Sequence, residues 1–139
     1  MTESSSIDLA NNRFQDAVEK LKSAKILLRE NQSKDSLSRS YYAMFSAVRA
    51  LLALKNVDSS KHSGIISLFN LHFVKTKAVS TEAGRVLKKA QHSRERSDYG
   101  DYVVVTIEEA ENQVKDAEKL LLEIKAILEK KIGTIEVML

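Results

Sequence analysis

The chain has no cysteine, no proline, no tryptophan and only four glycines in 139 residues. Without cysteine there is no disulfide framework, no thiolate nucleophile and no cysteine-built zinc site, a composition suited to a reducing cytoplasm. Without proline, and with so little glycine, almost nothing interrupts a long helical pattern. No apolar run approaches the roughly 18 residues that suggest a membrane span. The stretch Met1 to Ser6 also lacks the basic start and apolar core of a signal peptide. The expectation is therefore a soluble, cytoplasmic protein with no membrane partner. His62, His72 and His92 are scattered, with neither a His-x-x-x-His nor a Glu-x-x-His spacing, so no metal ligand set is expected. A Gly-x-Gly-x-x-Gly turn, a P-loop lysine and paired catalytic carboxylates are all missing, which argues against a cofactor and against a self-contained nucleotide-using enzyme.

What the chain does have is charge and helical periodicity. The net charge is +3 and the isoelectric point about 9.1, too small an excess to announce a nucleic-acid binder by itself. Local clustering matters more: Lys88, Lys89, His92, Arg94 and Arg96 form the one candidate anion site. The length suits one domain over residues 1–139. Apolar residues recur at spacings of three and four, which predicts an all-α, antiparallel up-and-down bundle of about five helices.

The first helix is expected from about Asp8 to Arg29, burying Phe14, Ala17, Val18, Leu21, Ala24 and Leu28. The second, to about Lys55 with Asp35 as cap or first-turn acid, is the most apolar and reads as central. Leu37, Tyr41, Met44, Phe45, Val48, Leu51 and Leu52 make its broad face, and Tyr42, Ser46 and Arg49 a separate polar edge. That edge either rims the bundle or lines a cleft. A third helix is expected from about Lys61 to Val74, with His62 and His72 read as ordinary helix-end or surface residues. The fourth starts near Ser80, and Asp98 to Val105 reads as a loop. Thr106-Ile-Glu-Glu109 is a capping box that opens the fifth helix, and Gly133 is its stop. Helices two and five are expected to carry most of the core, with the apolar tail Thr134–Leu139 packing on the bundle or on another subunit.

The densest chemistry lies in His92-Ser-Arg-Glu-Arg-Ser-Asp-Tyr-Gly-Asp-Tyr102. At about 100° per residue, Arg85, Lys89, His92 and Arg96 share one exposed stripe, while Arg94 falls with Ala83, Val86, Leu87 and Ala90 on the apolar face. A cation there needs a partner, and Asp98 one turn on supplies it, placing the guanidinium near Tyr99. From the chemistry alone, a structural ion pair closing a helix fits as well as a binding site.

Arg94, Asp98 and Tyr99, together with Ser40-Tyr-Tyr-Ala-Met-Phe-Ser-Ala-Val-Arg49 and the Lys61-His-Ser-Gly64 turn, resemble the HEPN domain (higher eukaryotes and prokaryotes nucleotide-binding). The nearest likeness is to its small stand-alone prokaryotic branch with an Arg-x-x-x-Asp-Tyr motif, over about residues 8–128. The resemblance implies a bundle with a four-helix core, a homodimer, and a site where RNA or a nucleotide binds. Many HEPN domains are metal-independent ribonucleases whose motif pairs an arginine with a histidine across four to six intervening residues, two copies completing one site. A toxin–antitoxin relative has its motif tyrosine modified with AMP by a minimal nucleotidyltransferase partner.

The chain departs from that motif at the histidine. The corresponding positions after Arg94 hold Tyr99 and Asp101, and those after Arg96 hold Asp101 and Val103. A tyrosine, with an ordinary pKa near 10, is a poor proton shuttle at neutral pH. Three readings follow. The first is a dimeric binding module working with a nucleotidyltransferase, its cleft formed by Arg94, Asp98, Tyr99, Tyr102, His92, Arg96, Arg49 and Tyr42. The second is an RNA endonuclease toxin using Arg94 and Tyr99. The third is a structural dimerisation domain.

Overall fold

The computed structural model describes residues 2–100, 102–137 and 139. Five α-helices follow one another: α1 (Glu3–Arg29), α2 (Ser33–Leu54), α3 (His62–Phe69), α4 (Thr81–Tyr99) and α5 (Ile107–Ile132). No strand occurs among the described residues. Short turns join α1 to α2 and α4 to α5, so these partners run antiparallel. The all-α bundle expected from periodicity is the fold.

α2 is the central helix and touches α1, α3, α4 and α5. Its broad face buries Leu37, Tyr41, Met44, Val48, Leu51 and Leu52, and its alanines at 43, 47, 50 and 53 let neighbouring backbones approach from the other sides. The most extensive packing is between α1 and α2, not between α2 and α5. α1 brings Phe14, Val18 and Leu21 into the core, and α5 brings Leu120, Leu121, Ile124 and Leu128. The core is thus shared by three long helices rather than dominated by α2 and α5.

Several boundaries move for local reasons. α1 begins at Glu3, well before Asp8, because the Thr2 hydroxyl accepts from the Ser5 N–H at 3.1 Å and caps a polar first turn. α3 ends at Phe69 and continues as a π-helical turn, Asn70–Val74, closed by Lys75 N donating to Asn70 O at 2.8 Å. That wide turn lies against α4 at Gly84, where an added Cβ would stand 3.2 Å from both Asn70 Oδ1 and Val74 Cγ2. α4 runs on to Tyr99, so Asp98 and Tyr99 are helical and the connecting loop starts at Gly100. Thr106 caps α5, accepting from Glu109 N at 3.0 Å. The reciprocal half of the capping box is not made, because the Glu109 carboxylate is held by Arg96 instead, one contact being 2.6 Å. Gly133 ends α5 at φ 88°, and the tail folds back on its own bundle, with Ile135 buried and its N–H donating to Glu129 Oε2 at 3.0 Å.

One buried polar device went unread in the sequence. Gln113 of α5 donates through Nε2 to Leu37 O and Ser40 Oγ of α2, each at 2.7 Å. A side-chain amide that reaches a helical carbonyl fixes the register between two helices as no apolar contact does.

Candidate functional site

The site grows from one edge of α2. Tyr41 and Phe45 are one turn apart, their rings stacked with centroids 6.0 Å apart, and Tyr42 meets Tyr41 edge-on at 5.3 Å. Two helices bring cationic or titratable groups to these rings. From α4, the Arg94 guanidinium carbon lies 5.1 Å from the Tyr42 ring centre and 5.6 Å from that of Tyr41. From the first turn of α3, the His62 ring packs 4.2 Å from Phe45, and its Nδ1 shares a hydrogen bond with the Tyr41 hydroxyl at 3.3 Å.

The placement of His62 follows from its loop. Ser59 N donates to Asp58 Oδ1 at 2.8 Å, and Lys61 N to Ser59 Oγ at 3.2 Å, drawing the chain into a tight turn before α3. Gly64 is needed there, since a Cβ would collide with the Ser59 side chain. The same loop carries Asp58 to within 3.4 Å of Arg49 Nη2 and 3.5 Å of Arg13 Nη2. Partial burial works against ionisation of Asp58, but the Ser59 N–H and the two arginines outweigh it and hold its carboxyl below the ordinary range.

Arg94 stands 3.2 Å through Nε from Asp98 Oδ2, with side-chain exposures of 19% and 34%. The contact lacks the alignment of a hydrogen bond, and Nε is buried without a hydrogen-bond partner. Among the described residues the terminal nitrogens of Arg94 also make no hydrogen bond, so the guanidinium is oriented by Asp98 and two ring faces while its fork stays open. It lies beside Tyr41 and Tyr42, not beside Tyr99 as expected from the sequence. Tyr99 is 79% exposed at the end of α4.

Charges on His62 and Tyr41 are shaped by this crowding. Burial first, then the cations of Arg94 and Arg49, push the His62 imidazole below its ordinary pKa of 6.5. Burial raises the Tyr41 hydroxyl to about 12 despite the opposing pull of Arg94. The histidine is therefore neutral, and the phenol protonated, at neutral pH.

Other sequence candidates separate from this cluster. The basic patch read as a unit is split: Arg94 turns towards α2, Arg96 is paired with Glu109, and His92 is exposed on the outer stripe. The physical reason is helical geometry, since residues two apart on α4 cannot share a face. Tyr102 is fully exposed at φ 60°, and Asp101 lies outside the described residues. Tyr42, Ser46 and Arg49 do line a cleft, a cavity of about 330 Å³ shared with Phe45 and with Arg13, Asp16 and Lys20 of α1. Lys20 bonds Asp16 at 2.6 Å and Ser46 at 3.1 Å, closing one end, while Arg49 Nε is buried there without a partner. The cleft between α4 and α5 sets Lys89 against Glu108, Glu109 and Asp116, an unfavourable lining for an anion. No cluster that could hold a metal occurs among the described residues.

His62 is the residue that sequence reasoning passed over. Its own segment reads as an ordinary helix end, because nothing there places it against α2. The available signal was the tight Ser59–Gly64 turn, which aims the start of α3 back at Tyr41 and Phe45.

Comparison with known proteins agrees with this architecture. The sequence pattern of the HEPN domain matches residues 10–129. A "UPF0332 protein" of Thermotoga maritima is 37% identical over 113 residues, covering 81% of this chain and 86% of the relative. A protein of Methanocaldococcus jannaschii named "Putative toxin" is 38% identical over 112 residues, covering 81% and 83%. Over a shorter span of 56 residues, a "UPF0332 protein" of Pyrococcus horikoshii is 55% identical, covering 40% of this chain and 39% of the relative.

Proposed function

The chain belongs to the HEPN family, and on that premise we propose that it is a toxin-like HEPN protein that binds RNA through Arg94. The open guanidinium fork carries this reading. An arginine held over two tyrosine rings, with its terminal nitrogens unengaged, matches the bidentate geometry of a phosphate, and the neighbouring rings suit an unstacked base. Arg49 and Arg13, which share Asp58 as a counter-ion, continue the basic lining along the α1–α2 cleft. The toxin name of the Methanocaldococcus relative supports the biological setting. In that setting a small nucleotidyltransferase is the partner, and a free nucleotide is the competing ligand.

The protein acts as a homodimer in this reading. Tyr99, Tyr102, Val104 and Ile107 form an exposed apolar stretch around the α4–α5 connection, and a second copy would cover it. Fluorescence anisotropy with labelled single-stranded RNA, and separately with labelled AMP, tests the ligand. RNA binding that Arg94→Ala weakens is expected. Equal affinity of wild type and R94A for both ligands would leave Arg94 as a purely structural residue.

A further inference from the structure

We propose that the Asp58 carboxylate is a displaceable internal counter-ion: it occupies the Arg13–Arg49 pair of the α1–α2 cleft and gives way to a phosphate group that enters there. The proposal extends the reading that RNA binds at Arg94 and rests on it only for the source of that phosphate. Its own ground is the charge balance of the cleft. Arg13 of α1 donates through Nη1 to the Arg49 carbonyl of α2 at 3.1 Å, which brings two cationic side chains together. Burial first, and then the cation of Arg49, hold the Arg13 guanidinium below its ordinary pKa, so the two charges repel. One oxygen serves both: Asp58 Oδ2 lies 3.4 Å from Arg49 Nη2 and 3.5 Å from Arg13 Nη2. The other carboxylate of the cleft, Asp16, is taken by Lys20 at 2.6 Å and by Ser46 at 2.9 Å. Two cations therefore share one anion, and Arg49 Nε is buried without a partner among the described residues.

Asp58 is held the way an exchangeable partner is held. Charge-assisted bonds between arginine and a carboxylate close to about 2.7–2.9 Å and favour a paired fork. Both contacts here are longer, and each uses a single terminal nitrogen. The Asp58 side chain is 53% exposed and stands on the connection between α2 and α3 rather than on a helix. Its firmest bond is to its own loop, Ser59 N donating to Oδ1 at 2.8 Å. Oδ1 can keep that bond while Oδ2 leaves the arginines, so the turn into α3 survives the exchange.

The competition operates at neutral pH. The Ser59 N–H and the two arginines outweigh partial burial and hold the Asp58 carboxyl below its ordinary range, so the group is ionised there. A phosphate group brings several charged oxygens where Asp58 offers one, enough to serve both guanidinium groups. Tyr42 connects this place to Arg94, since it lines the cleft and also has the Arg94 guanidinium over its ring.

Two measurements on the full chain test the proposal: anisotropy of labelled single-stranded RNA at low salt, and thermal melting in inorganic phosphate against chloride at equal ionic strength. Asp58→Asn removes the competing charge but keeps the size and an acceptor for Ser59 N. It should bind RNA about 2- to 10-fold more tightly than wild type and show a larger rise in Tm with phosphate. Asp58→Ser, which loses the same charge, should behave alike. Glu19→Gln removes an exposed carboxylate elsewhere on α1 and should change neither reading. Both gains should vanish in the double variant D58N/R49Q. Unchanged or weaker RNA binding by the two Asp58 variants would overturn the proposal, as would gains that persist without Arg49 or appear equally in E19Q. If no variant binds RNA but the Arg49-dependent phosphate gain remains, the RNA reading falls and the exchange at Asp58 stands. Absence of both gains sinks the exchange, and RNA binding that still depends on Arg94 would then leave the proposed function intact.

Discussion

The guanidinium carbon of Arg94 stands 5.1 Å from the centre of the Tyr42 ring, so this cation rests on a face of α2 as well as on its helical neighbour Asp98. Two supports share the work of holding it. A cation–π contact of this kind contributes about 0.5–2 kcal/mol, and a partly exposed ion pair about 1 kcal/mol or less. Asp98→Ala should therefore destabilise the fold by about 1 kcal/mol or less, an effect that fades in high salt. Denaturant unfolding at two ionic strengths checks this. A salt-independent loss above about 3 kcal/mol would mean that Asp98 neutralises a truly buried charge.

Phe45 joins the core to the site, since it is buried on α2 and packs on His62. Phe45→Ala should cost about 3–5 kcal/mol. Thr106→Ala removes only a cap of α5 and should cost about 1 kcal/mol. Equal and small losses in the two melts would contradict the register given to α2.

The pH dependence of stability has two arms. His62 lies below its ordinary value of 6.5 because of burial, Arg94 and Arg49, so the unfolded chain binds its proton first as pH falls. Its stabilising contribution is complete above that value and is lost as pH drops through the folded pKa. Tyr41 is raised from 10.0 to about 12, so stability also falls as pH climbs from the first value towards the second. Asp16 and Asp58 are both held below the ordinary carboxyl value of 3.8, so their contributions disappear in a separate, more acidic window. Melting temperatures from about pH 8 to about pH 5 should decline in the wild type and flatten in His62→Asn. Parallel curves would show that His62 is not desolvated.

Val104 is 77% exposed beside Tyr99, Tyr102 and Ile107. If the proposed homodimer covers this stretch, Val104→Asp should turn it into monomer by placing charge in the interface. Sedimentation at micromolar concentration reads the outcome directly. A variant that remains dimeric would place the interface on another face.

The bundle was legible because its helices carry unbroken three- and four-residue periodicity, and α2 was legible as central because alanines occupy the back of its apolar face. Ends were less legible where capping or backbone geometry decides them. The polar run after Thr2 is capped by a hydroxyl and tied to Asn56 through Ser6, and the π turn at Asn70–Val74 lies against Gly84. At the site, the Arg94–Asp98 contact is local, one helical turn long, and readable from spacing. The approach of Arg94 to Tyr42 and of His62 to Tyr41 joins residues far apart in sequence through the packing of three helices. Periodicity places residues on a face but does not say which face of which helix they will meet.

The salt dependence of RNA affinity in wild type, Arg94→Lys and Arg94→Ala tests the central assignment most directly. If the open fork of Arg94 grips a phosphate, R94A weakens binding and lowers the slope of log affinity against log salt by about one unit. R94K keeps that slope but binds less tightly than wild type, because an ammonium lacks the planar fork that pairs with two phosphate oxygens. Identical affinities and slopes in all three proteins would contradict the assignment and reduce Arg94 to a brace between α4 and α2.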